Sequence, residues 1–157
     1  MTLRCTHDVV STIAEASGLD DLALNAEGVF ELIVADRLSV YFRFEGEEVL
    51  ELSVEVPALR KTNDPAVLRE MLAVNATSPN GRLGMEPGTG RVFFGRRLMI
   101  ADLTRATLLN RVDDFIRAAA VWTDNAPMNA AEALLARAAQ DVPFTDHAVL
   151  QDTMLRA

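Results

Sequence analysis

Cysteine, histidine and basic residues are all scarce in this chain. Among 157 residues there is one cysteine, Cys5, and there are two histidines, His7 and His147. A lone cysteine excludes an intramolecular disulfide and a multi-cysteine zinc site, and it reads as a free thiol in a reducing compartment. Two histidines so far apart make a poor metal-ligand set, so no metal is expected. Lys and Arg number 15 against 23 Asp and Glu, a net charge of −8. Phosphate and anionic lipid both need a basic surplus, so neither nucleic acid nor membrane is an expected partner. Long apolar runs are missing as well. The stretch from Ala118 to Trp122 falls far short of the roughly 20 residues that a membrane span needs. Asp8, Glu15 and Asp20 interrupt the first twenty residues, which predicts no secretory signal. What is present is an ordinary globular mixture, 50% hydrophobic and 24% charged, at the usual size of one domain. The expectation is a soluble, acidic, intracellular protein.

Hydrophobic periodicity organises the chain. Val9, Val10, Ile13, Ala14 and Ala16 predict a short amphipathic helix from His7 that stops at Gly18. The run Val29 to Val34 predicts a strand. Leu38, Val40, Phe42 and Phe44 alternate with polar residues, and so do Leu50, Leu52, Val54 and Val56. These are strands with a period of two. Both apolar sets are even-numbered, so sharing one face requires a loop with an odd number of residues, either Glu45 to Glu47 or five residues ending at Val49. Asp64-Pro65 predicts a helix start carrying Val67, Leu68, Met71 and Leu72, broken at Ser78-Pro79-Asn80-Gly81. A strand from Arg82 to Glu86, a turn at Pro87 to Gly90 and a return strand from Arg91 to Met99 follow. Ala106, Leu109, Val112, Phe115 (or Ile116), Ala119 and Trp122 then predict a long helix from Leu103. Beyond it lie one helix from Asn129 to Ala139 and a weaker one from Asp146 to Leu155. The expected fold class is α+β: a twisted antiparallel sheet in the order α-β-β-β-α-β-β-α plus a C-terminal helical extension. The expected division is a main domain over 1–125 and the extension over 126–157.

Catalytic chemistry does not assemble. Cys5, His7 and Asp8 are close in sequence, yet sequence neighbours seldom have the geometry of a nucleophile–base pair. Glu45, Glu47 and Glu48 lack the ligand spacing of a calcium loop and read as a solubilised turn. Gly84 to Gly95 contains no phosphate-cradling pattern. Arg91, Arg96 and Arg97 form a basic spot, read as a solvated strand edge rather than an anion site. The reading is a non-enzyme without a cofactor.

The apolar surface is more informative. Val29 to Val34 and Arg91 to Met99 carry large apolar residues on both faces: Val29 and Ile33 oppose Phe30 and Leu32, and Phe93 and Met99 oppose Val92 and Phe94. Either the tail or another chain must cover the surplus, and exposed apolar patches mark binding surfaces. The stripe Leu68, Met71, Leu72 is either core or a self-complementary seam for a two-fold dimer.

Several short motifs in order resemble one family. Ser17-Gly18-Leu19 is followed by Leu22, Leu24 and Asn25, with Gly28 before the first strand. Met71-Leu72-Ala73-Val74-Asn75 ends the second helix, Leu83-Gly84-Met85-Glu86 is similar to a Leu-Gly-Leu-Asp strand, and Phe115, Ala119 and Trp122 close the last main helix. The chain resembles the class I type III secretion chaperones, of the Tir-chaperone-like type, over roughly residues 7 to 123. Met85-Glu86, the hairpin arginines and residues 126–157 depart from the family pattern.

The resemblance implies a cytoplasmic bacterial homodimer that binds the non-globular N-terminal segment of one or more effectors, with the secretion ATPase as a further partner. It places the dimer seam at Leu68, Met71 and Leu72, and effector contacts at Val10, Ile13, Ile33, Leu83, Met85 and Phe93. Two rival functions are a small α+β enzyme or ligand-binding domain with an internal pocket, and a dimeric adaptor for folded partners.

Overall fold

Alternation of apolar and polar residues builds the sheet, and a computed structural model describes residues 2–140 apart from 21, 61, 124, 125, 127 and 128. The elements are α1 (Thr6–Ser17), β1 (Val29–Val34), β2 (Leu38–Glu45), β3 (Val49–Glu55), α2 (Pro65–Thr77), β4 (Arg82–Met85), β5 (Val92–Met99), α3 (Arg105–Ala120) and α4 (Ala130–Gln140). All strand pairs are antiparallel, in the spatial order β1-β2-β3-β5-β4. The α+β order expected from the sequence is the order found. The helix expected from Asp146 to Leu155 lies outside the described residues.

Parity governs the sheet. Phe42 stands opposite Leu52 and Phe44 opposite Leu50, so the β2–β3 loop is the three residues Gly46 to Glu48. The loop has the odd length that the shared face required, but it lies one residue later than the expected Glu45 to Glu47, because Glu45 still pairs with Val49. Even-numbered residues of β1, β2, β3 and β5 face the helices, as do odd-numbered Leu83 and Met85 of β4 opposite Phe94 and Val92. Val40, Phe42, Leu50, Leu52 and Val92 are fully buried. Phe30 stacks on Phe42 with ring centroids 4.5 Å apart. Phe94 lies 5.8 Å from the rings of both Phe115 and Trp122, which fastens α3 to the inner face. By contrast, no odd-numbered residue of β1, β2, β3 or β5 is buried. The sheet has one dry face and one open face.

The helices start and stop where local chemistry dictates. Gly18, at φ 68°, ends α1 by donating its N–H to the carbonyl of Glu15. Asp64 caps α2 by accepting from the N–H of Ala66, with Pro65 in the first turn. Thr104 and Thr107 cap α3 reciprocally. The buried stripe of α3 is Leu108, Val112, Phe115 and Ala119, while Ala106 is exposed. That corrects the predicted stripe. Repeated steps of three drift around a helix of 3.6 residues per turn, whereas the observed steps of four, three and four stay on one face. The chain also begins α3 later than predicted, at Arg105 rather than Leu103, because the extended residue Thr104 is its N-cap.

Two charge readings change. β5 is an interior strand, so its arginines are not at an edge. Arg97 pairs with Glu45 and Arg91 with Glu55 on the open face, while Arg96 turns to the other face and donates to Asn80 Oδ1 at 3.2 Å. The basic spot is split by parity. The acidic hairpin tip does more than solubilise a turn, since Glu47 Oε2 accepts from the N–H of Thr6 at 2.9 Å. A carboxylate there complements the positive end of α1.

The helical extension packs inward. Ala131, Leu134 and Ala138 of α4 are buried within the same apolar cluster as Val67 and Met71 of α2. Arg137 adds an ion pair to Glu70 at 2.6 Å, and Asn129 caps α4 by accepting from the N–H of Ala131.

Candidate binding surface

The open face of the sheet holds a shallow hollow of about 870 Å³ over β2 to β5. Its walls include Tyr41, Arg43, Leu83, Met85, Arg91 and Phe93. Phe93 is half-buried, and the guanidinium carbon of Arg91 sits 4.9 Å above its ring. Arg91 also makes a bidentate pair with Glu55 through Nε at 3.1 Å and Nη2 at 2.6 Å. That hydrogen-bonded guanidinium holds the Glu55 carboxyl below its ordinary range. Burial, with Glu31 nearby, raises the Tyr41 hydroxyl above its usual range and keeps it a donor. Among the described residues, no group of three or more His, Cys, Asp and Glu is placed to hold a metal ion.

The six predicted contact residues fall in three places. Leu83, Met85 and Phe93 come together around the hollow, although Leu83 is buried on the helix side and Met85 packs against the core on that same side, which leaves Phe93 alone on the open face. Val10 is half-buried against the core and Ile13 is buried within it, both on α1. Ile33, 65% exposed, stands at the far edge on β1. Sequence parity alone could not separate these positions, because the face of each residue depends on which strands pair. The three predicted seam residues also divide. Met71 is buried in the core, whereas Leu68 at 37% and Leu72 at 69% exposure form one ridge of α2, four residues apart on the same side.

Backbone groups at the sheet edges complete the surface. Residues of an antiparallel strand bond alternately to one side and the other. The Phe44 N–H donates to the Gly28 carbonyl at 3.0 Å, so even-numbered residues of β1 bond β2. Val29, Glu31 and Ile33 therefore aim their backbone groups outward. Val29 is already satisfied: its N–H donates to Asn25 Oδ1 and its carbonyl accepts from the Asn25 N–H, each at 2.9 Å. On the opposite edge, Glu86 N–H donates to the Arg91 carbonyl at 2.8 Å, which turns Leu83 and Met85 of β4 outward. There the carboxamide of Asn75 takes both groups of Leu83, accepting from its N–H at 2.7 Å and donating to its carbonyl at 2.9 Å. The last turn of α2 thus occupies the β4 edge. In sequence, Asn25 and Asn75 stand out only as members of the family-like pattern. An asparagine before a strand or at a helix end is a turn signal in sequence, and its distant partner is visible only in three dimensions.

Residues 9–123 match the Tir chaperone protein (CesT) family. The chain belongs to that family. It is a type III secretion chaperone, not an enzyme. Solved structures share the chaperone's fold. The ExsC–ExsE complex matches at 20% identity and a TM-score of 0.59, covering 75% of this chain and 93% of that one. The Yersinia pestis type III secretion chaperone SycH, in complex with a stable fragment of YscM2, matches at 18% identity and 0.54, covering 73% and 97%. The ExoT–SpcS complex from Pseudomonas aeruginosa matches at 18% and 0.53, covering 71% and 90%. No curated protein matches the sequence significantly. The family match ends before α4, which the chaperone adds beyond it.

Proposed function

We propose that this chaperone holds the N-terminal, non-globular segment of one or more effectors extended against its sheet, keeps it soluble and secretion-competent, and passes it to the secretion apparatus through the secretion ATPase. It works as a homodimer in the bacterial cytoplasm. The observation that carries this reading is the open edge of β1 beside an uncovered sheet face. Glu31 and Ile33 offer four outward backbone groups there, with Ile33 exposed above them. The SycH structure, similar in fold at low identity, is a type III secretion chaperone in complex with a fragment of a second protein, which supports the same kind of partner here.

The mechanism is physical. A segment without its own fold loses chain entropy on capture, and that costs about 2–5 kcal/mol of the gross interaction energy. Strand addition supplies backbone hydrogen bonds that tolerate sequence variation, and each contributes about 0.5–1.5 kcal/mol net. Apolar side chains laid on the open face near Phe93 add burial at roughly 25 cal/mol per Å². A two-fold dimer through the Leu68 and Leu72 ridge doubles the surface. The net charge of −8 keeps the loaded complex dispersed.

Co-expression with N-terminal segments of candidate effectors, followed by limited proteolysis, tests the proposal. An extended stretch protected by the chaperone is expected, and Ile33→Pro is expected to remove that protection without unfolding the sheet, since its N–H makes no bond to β2. Protection of only a folded domain would favour the adaptor instead and end this reading.

A further inference from the structure

We infer that Asn25 and Glu31 set the register and the sequence preference of the guest strand: a basic residue placed two positions from a large apolar one. This rests on the chaperone reading above and refines it.

The accepting window is short at both ends. Asn25 consumes both outward groups of Val29, so pairing cannot begin before Glu31. After Val34 the chain turns back through Ala35 and Asp36, both with positive φ (52° and 56°), so pairing cannot extend beyond Ile33. A guest strand therefore has one register, opposite Glu31 and Ile33. Cross-strand neighbours share a face. The guest residues opposite Glu31 and Ile33 lie on the open side of the sheet, and the residue between them faces the helix side beside half-buried Leu32. The carboxylate of Glu31 is exposed, accepts a hydrogen bond from the hydroxyl of its cross-strand partner Tyr41, and enters no ion pair among the described residues. Lysine or arginine is the residue that complements it, while exposed Ile33 favours a large apolar neighbour. The apolar face of Leu32 favours an apolar residue in the middle.

Synthetic peptides provide the probe: Thr-Thr-Ile-Val-Arg-Thr-Thr, its counterpart with Glu in place of Arg, and both in reversed order to cover the two strand directions. Amide chemical shifts and exchange in the full chain report where each peptide sits. The Arg peptide of one direction should bind about fivefold tighter than its Glu counterpart and slow exchange at Glu31 and Ile33. Glu31→Lys should invert that preference. Glu31→Gln should abolish it without changing the site of protection. Asn25→Ala should extend protection to Val29. Equal binding of both peptides, a preference that survives Glu31→Lys, or no protection at β1 in either direction would overturn the inference. Each of those results leaves the chaperone reading intact if co-expressed effector segments remain protected. Loss of effector protection with an unchanged peptide preference would sink only the chaperone reading.

Discussion

A methyl group at Gly81 would stand 2.4 Å from the ring of Phe94, and that ring is wedged between Phe115 and Trp122. It cannot swing away. Gly81→Ala is expected to cost about 1–3 kcal/mol by overpacking, read as a lower urea midpoint. Gly84→Ala, three residues along and facing open space, serves as the near-neutral control. Charge acts on the same scale at Glu55. Its carboxyl is held low chiefly by the hydrogen bonds from Arg91, so the folded state binds its proton less readily than the unfolded chain. The stabilisation is present above the ordinary glutamate range and is lost as pH falls through the lowered value. Arg91→Met should cost about 0.5–1 kcal/mol at pH 7, since the pair is partly exposed. The difference from wild type in urea unfolding should shrink as pH falls through that lowered value.

Among the elements, α4 is the one whose relation to the rest is open to a direct measurement. Leu134 is fully buried among residues that include Met71. Leu134→Ala should therefore lower the stability of the whole chain by about 2–5 kcal/mol, and Asn129→Ala by about 1 kcal/mol through loss of the cap. Circular dichroism and the fluorescence of Trp122 should report one shared transition. Two transitions would mean that α4 unfolds by itself. Element type and order were legible in the sequence because parity and capping are local: Asp64-Pro65 and Gly18 announce helix ends, and Leu50 to Val56 announces a strand. The surface was less legible. Ile13, Leu83 and Met71 are apolar at the proper spacing, yet whether such a residue is core or surface depends on what packs over it. The edge-closing tasks of Asn25 and Asn75 depend on strand order, which no local pattern contains.

For the whole molecule, the proposed assembly rests on the ridge of Leu68 and Leu72. A double substitution, Leu68→Asp with Leu72→Asp, should convert the proposed dimer to a monomer in light scattering while leaving the circular dichroism spectrum unchanged. Both side chains are exposed in the subunit, so the charges enter no core. A dimer that survives the change would place the seam elsewhere. Met71→Asp would be uninformative, because it puts a charge in the interior and unfolds the subunit.

The division of each strand into even and odd positions also bears on how such a scaffold changes over time. Stability resides in one half of the positions and contact with the outside in the other, so substitutions on the open face are nearly free of folding cost. Under the proposed function, new clients can be accommodated by drift at Glu31, Ile33 or Phe93 while Phe42, Leu52 and Phe94 stay fixed. A shared architecture at 18–20% identity is the divergence that this separation permits. A one-residue insertion in Gly46 to Glu48, by contrast, would exchange the two halves of a whole strand at once.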